Sequence, residues 1–200
     1  IFSAQTMPIL VAAIYAHNAY GADIIMRILG DMHRALGAAS YSALGLGASA
    51  KTTEVRANAA EALASLVDRG MFDTTLFAKE LYWLLGQHHV MAQRIEQTFR
   101  DAALISSLAG WRIMQVLEGI LPAVGEVNRG GTLVQLLAQL AGEYGVSIKI
   151  PEVLRPKMKG STVLAKSLRA LEKLQPHPTE LAEQARDQAQ ELLDQHRCAQ

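Results

Sequence analysis

Apolar side chains recur at helical spacing along most of this sequence, and a glycine falls between one stripe and the next. From Thr53 to Arg69 the stripe is Val55, Ala59, Leu63, Leu66 and Val67, with Thr52 or Thr53 placed to cap its start. Gly70 supplies a left-handed stop after Arg69. Asp73 caps a second helix carrying Leu76, Phe77, Leu81, Leu84 and Leu85, closed by Gly86. A third runs through Met91, Ile95, Phe99 and Ala102. The segment from Ser107 to Ala123 is apolar nearly all round, which predicts a central helix. Leu133, Leu136, Leu137, Leu140 and Tyr144 form another stripe, ended by Gly145. Glycines at Gly21, Gly37, Gly125 and Gly160 extend the same punctuation. Only Val146 to Ile150 alternates as a strand would, and Pro151 stops it with no partner in sight, so it reads as an extended connection. The chain is therefore all-α, with about nine or ten helices over its 200 residues.

Consecutive amphipathic helices on short turns build either a stacked array of helical hairpins or a compact multi-helix bundle. Half of the residues are apolar and 19% are charged, which excludes a wholly disordered chain. The run Thr53-Glu54-Val55-Arg56-Ala57-Asn58-Ala59-Ala60-Glu61-Ala62-Leu63 resembles the second half of a HEAT repeat, in which small side chains let helices approach closely and the Arg ties neighbouring turns. Tyr41 to Leu85 includes Leu44-Gly45-Leu46-Gly47, the Val55-Arg56 helix and the Gly70-Met71-Phe72-Asp73 turn. Val146 to Leu174 adds an Ile150-Pro151 turn and Lys159-Gly160-Ser161. Together these segments, within Gly37 to Leu174, resemble a family of large, uncharacterised bacterial HEAT-like proteins. The genes of that family neighbour a MoxR-type AAA ATPase, a von Willebrand A protein and a SWIM zinc-finger protein. The resemblance implies a HEAT-like helical-hairpin array over residues 1–175 and an adaptor or scaffold role beside an AAA ATPase or von Willebrand A partner. It implies no catalytic residue.

The ends of the chain carry further expectations. Ile1 stands where a methionine would begin a complete protein, and no basic region precedes the apolar start, so the chain reads as a piece of a longer polypeptide. Ile1 to Ala22 holds no Asp, Glu, Lys or Arg, but its continuous apolar part is only Ile9 to Ala16. That is short of the roughly 20 residues a spanning helix needs, so no membrane segment is expected. The single cysteine, Cys198, excludes an intramolecular disulfide and fits a cytoplasmic location.

Motifs for chemistry are weak throughout. Gly45-Leu46-Gly47-Ala48-Ser49-Ala50 has the form G-x-G-x-x-A, but a helical segment precedes it where a dinucleotide site needs a strand, so close helix packing explains it better. His88 and His89 diverge by about 100° on a helix and do not share an ion easily. His17 and His33, with Asp31 nearby, would still lack a third ligand. His196 and Cys198 point apart at their spacing. Trp83 and Trp111 fall within apolar stripes and read as core, while Glu80 and Glu118 read as single carboxylates on solvated faces. The sequence thus predicts no enzyme, no cofactor and no metal. An enzyme using His17 or His88 in a groove is the third-ranked alternative.

Charge placement says more than the balanced total of nineteen basic and nineteen acidic residues. Lys149, Arg155, Lys157, Lys159, Lys166, Arg169 and Lys173 face only Glu152 and Glu172 in the same stretch. Residues 176–200 then reverse the sign with Glu180, Glu183, Asp187, Glu191 and Asp194, and read as a separate acidic helix. The seven basic residues are a candidate partner-binding face. A protein partner is the first expectation, because aromatic residues for base stacking are missing from the stretch. Nucleic acid is the alternative, because Lys166, Arg169 and Lys173 recur at helical spacing. The functional expectation is a non-catalytic scaffold that mediates protein–protein interaction.

Overall fold

A computed structural model describes residues 38–86, 91–124 and 130–174. It is all-helical: α1 (Ala38–Ala48), α2 (Thr53–Asp68), α3 (Thr74–Leu85), α4 (Ala92–Ile105), α5 (Ser107–Val124), α6 (Gly131–Tyr144), a 3₁₀ helix (Glu152–Met158) and α7 (Val163–Glu172). No strand occurs among the described residues, and Val146 to Ile150 is an irregular connection with Ile148 and Ile150 buried.

Local chemistry sets most of the helix ends. Asp73 accepts a hydrogen bond from the backbone N–H of Leu76 at 2.9 Å, and Thr162 accepts one from Ala165 at 3.1 Å, each satisfying a donor the helix start leaves open. Gly70 and Gly145 take the left-handed conformation, with φ of 66° and 67°, and turn the chain out of α2 and α6. The start of α2 departs from expectation. Thr52 occupies the cap position, but its side chain makes no capping bond. Arg56 ties this turn instead, donating to the carbonyls of Ala50 at 2.8 Å and Lys51 at 2.9 Å.

Each of the first four helices packs on the helix two further along: α1 on α3, α2 on α4, α3 on α5, α4 on α6. Cross-contacts join α1 to α2 and α4, and α5 to α2, α4 and α6. The result is two rows, α1–α3–α5 and α2–α4–α6, an arrangement that a hairpin array and a compact bundle both accommodate. α5 is central, as its all-round apolar sequence requires, although Leu108 at its first turn stays 46% exposed. α1 is enclosed: from Ser40 to Ala50 every residue but Ser42 is buried.

One continuous core runs from Tyr41 in α1 to Leu171 in α7. Its aromatic centre is Phe77, whose ring lies 5.8 Å from Tyr41, 5.3 Å from Phe72 and 6.0 Å from Phe99. These separations fall in the range where edge-to-face and tilted contacts add to area burial. Polar bonds lock the same region, for the Asp73 N–H donates to the Tyr41 hydroxyl and thereby fixes the start of α3 on α1. Gly45 lies inside α1, where any Cβ would overlap Leu84 Cδ1. Gly45 of that motif therefore serves helix contact, with Leu84 as its partner.

Candidate functional site

The basic residues predicted as a face all belong to the last structural unit, the connection after α6, the 3₁₀ helix and α7. They do not play one part. Arg155 reaches Glu152 at 2.9 Å and Glu172 at 3.4 Å, so its charge is matched by both acids of the stretch. Arg169 is half-buried, and its guanidinium donates to the carbonyls of Met158 and of Gly160, the latter at 2.9 Å. It holds the turn between the 3₁₀ helix and α7. Lys157 is half-buried, while Lys149, Lys159, Lys166 and Lys173 are exposed. Arg169 is thus a structural tie, and the exposed charge belongs to Lys149, Lys159, Lys166, Lys173 and the ion-paired Arg155.

A second surface was not legible in the chain. α3 and α5 enclose an open groove of about 440 Å³, walled by Thr75, Ala78 and Lys79 on one side and by Gln115, Gly119 and Pro122 on the other. Its floor is shallow where Ala78 meets Gly119. Tyr82 also lines it, 59% exposed, and neighbouring Trp83 is 58% exposed. The placing of Trp83 in the core is therefore corrected. The buried side of α3 is Phe77, Leu81, Leu84 and Leu85, and Trp83 lies on the opposite side. Trp111 is half-buried and meets Tyr144 edge-on at 5.5 Å.

The carboxylates differ from one another. Glu80 accepts a hydrogen bond from the Ser42 hydroxyl at 2.5 Å and so has a partner in α1 that the sequence did not disclose. Glu118, beside Gly119 on α5, is exposed, and partial desolvation raises its carboxyl above the usual value. Leu104, Ile105 and Leu108 form an apolar corner where α4 meets α5, with Leu104 82% exposed. Among the described residues no three His, Cys, Asp or Glu side chains gather as metal ligands, and no helix is long and apolar enough to cross a membrane. His17, Asp31, His33, His88, His89, His196, Cys198 and the acidic segment 176–200 lie outside the described residues.

The signal that points to the groove is a pair of helix-unfavourable residues, Gly119 and Pro122, within one helix. Gly119 weakens the helix, and Pro122 has no N–H to give the carbonyl of Glu118. The nearest atom to a Cβ at Gly119 would be Ala78 Cβ at an ordinary 3.8 Å, so internal packing does not require glycine there. Comparison with models of known families, with curated proteins and with solved structures finds no match to this chain.

Proposed function

We propose that this chain is a non-catalytic helical scaffold, HEAT-like in organisation, whose outward faces bind protein partners. The α3–α5 groove is the observation that carries the reading. Tyr82 lines a concavity floored by small residues and stands more than half exposed, and Trp83, the next residue of α3, is 58% exposed outside its lining. Large aromatic side chains next to a shallow groove are what a protein interface uses as anchors, because they offer rigid contact area at small entropic cost. The core needs neither of them. The resemblance of Tyr41 to Leu85 and Val146 to Leu174 to the HEAT-like bacterial family makes an AAA ATPase or a von Willebrand A protein the first partner to test.

A photo-crosslinking amino acid at position 82, in cells that express the protein, tests the reading. The expected result is one discrete protein adduct that disappears when Gly119→Trp fills the groove, with the thermal transition unchanged. Absence of any groove-dependent adduct would overturn the proposal. Nucleic acid is the second reading, favoured by Lys166 and Lys173 recurring on one stripe of α7. Binding of oligonucleotide that falls steeply with salt, and falls again in the Lys166→Glu, Lys173→Glu variant, would replace the protein partner with that one.

A further inference from the structure

We infer that the outer face of α7 is a docking strip for an acidic, amphipathic segment of a partner protein. α7 packs on α6 and on the 3₁₀ helix, burying Ala165, Leu168 and Leu171. At about 100° per residue, Val163, Lys166, Ala170 and Lys173 fall within about 80° of one another on the other side, and all four are exposed. The strip thus alternates apolar and cationic side chains along one line. Val153 on the adjoining 3₁₀ helix is 53% exposed, Val163 is 49% exposed, and Lys159 stands exposed in the turn between them.

The chemistry of the strip selects its occupant. Most of its charge is supplied by lysines: Arg169 is tied to two backbone carbonyls, and exposed Arg155 is shared with Glu152 and Glu172 in surface ion pairs. Arginine gives the bidentate fork that suits phosphate, and the arginine carried by α7, Arg169, spends its donors on the chain's own carbonyls. No Phe, Tyr or Trp lies between Val146 and Leu174 to stack on a base. Exposed valines between lysines have no role against phosphate, whereas they meet the apolar side of a helix whose flanks carry carboxylates. Val163 and Ala170, seven residues apart, have the spacing of anchors for an amphipathic helix. The inference rests on the scaffold reading in taking the partner to be a protein, but it uses a different surface.

The test titrates the full chain with three labelled probes: an amphipathic Glu/Leu/Ala peptide, its Gln-for-Glu counterpart, and a short oligothymidylate. The Glu peptide is expected to bind about tenfold more tightly than the Gln peptide and to weaken as salt rises. Lys166→Glu with Lys173→Glu should cost it about tenfold, and Val163→Ser several-fold, with thermal transitions unchanged. Equal binding of the two peptides would overturn the inference, as would tighter binding of the oligonucleotide through the same lysines. A fourth arm converts Glu180, Glu183, Asp187, Glu191 and Asp194 to their amides. If the Glu peptide bound only to that variant, the chain's own acidic segment would be the occupant and the assignment to a partner would fall. Gly119→Trp should leave peptide binding intact. A Tyr82 adduct without peptide binding sinks this inference alone, whereas peptide binding without a Tyr82 adduct sinks the groove.

Discussion

Gly110 and Gly119 occupy the same helix, and replacing each by alanine should change stability in opposite directions. In α5, alanine in place of glycine removes backbone freedom from the unfolded chain and favours the folded state by about 0.5–1 kcal/mol. At Gly119 nothing opposes that gain, because the new Cβ would lie 3.8 Å from Ala78 Cβ. At Gly110 the Cβ would overlap the Tyr144 hydroxyl and lie 3.2 Å from Ala103 Cβ. Tyr144 would have to swing away, giving up its hydrogen bond to the Ser107 carbonyl at 2.6 Å, about 0.5–1.5 kcal/mol. Its edge-on contact with Trp111 at 5.5 Å would go too, about 0.5–1.5 kcal/mol. Crowding against Ala103 adds about 1 kcal/mol. Against the helical gain, Gly110→Ala should destabilise by about 1–3.5 kcal/mol. Urea unfolding followed by circular dichroism reads both, with the slope unchanged if only stability has moved. In a Tyr144→Phe background the overlapping atom is gone and the ring need not move, so the cost of Gly110→Ala should shrink by about 1–3 kcal/mol. Finding Gly110→Ala as stable as Gly119→Ala, or no coupling to Tyr144→Phe, would refute the reasoning.

Thr98 is buried and its hydroxyl donates to the Ala48 carbonyl at 2.8 Å, at the end of α1. Thr98→Val keeps the shape and removes that donor, so the urea midpoint should fall by an amount equivalent to about 1–3 kcal/mol. Burial raises the Tyr41 phenol above its ordinary 10, the hydrogen bond from the Asp73 N–H opposes the rise, and the Asp73 charge adds to it. Above pH 10 the folded state therefore keeps a proton that the unfolded state releases. The stability Tyr41 contributes is whole below that value and is lost as pH climbs through the raised one. Tyr41→Phe should flatten the alkaline fall of the unfolding midpoint, and an unchanged alkaline limb would contradict that account.

The existence, order and approximate bounds of α2 to α6 are legible because each depends on nearby residues. The α2 stripe, the Asp73 cap and the left-handed turns at Gly70 and Gly145 act within a few positions of themselves. Close packing at Gly45 was readable for the same reason, although its partner, Leu84, was not. What failed turned on which of several nearby groups a side chain takes, which spacing alone does not decide. Arg56 took over the turn that a threonine cap was expected to hold, because two carbonyls point at its guanidinium. The 3₁₀ helix across Pro156 carries no periodic signal, its buried residue being Leu154. The seven basic positions all fall in the last unit, yet only the fold separates Arg169, tied to backbone carbonyls, from exposed Lys149, Lys159, Lys166 and Lys173.

The residues that point outward to a role are those that break the pattern from which the fold was read. Stripes at helical spacing identify side chains that the core consumes, so a large apolar residue off the stripe is left for another surface. Val163 is such a residue, with Lys166 and Lys173 on the same face, whereas Trp83 reads as part of a stripe and only the fold shows it exposed. Gly119 and Pro122 break the pattern differently, since they weaken the helix that carries them and fill no internal need. Such departures fall on α5 at the groove and on α7 at the strip, while α7 itself packs on α6 and the 3₁₀ helix. A close-packed core that is continuous beneath both surfaces can hold each at a fixed spacing without either one reshaping the other. That is the mechanical property a scaffold needs.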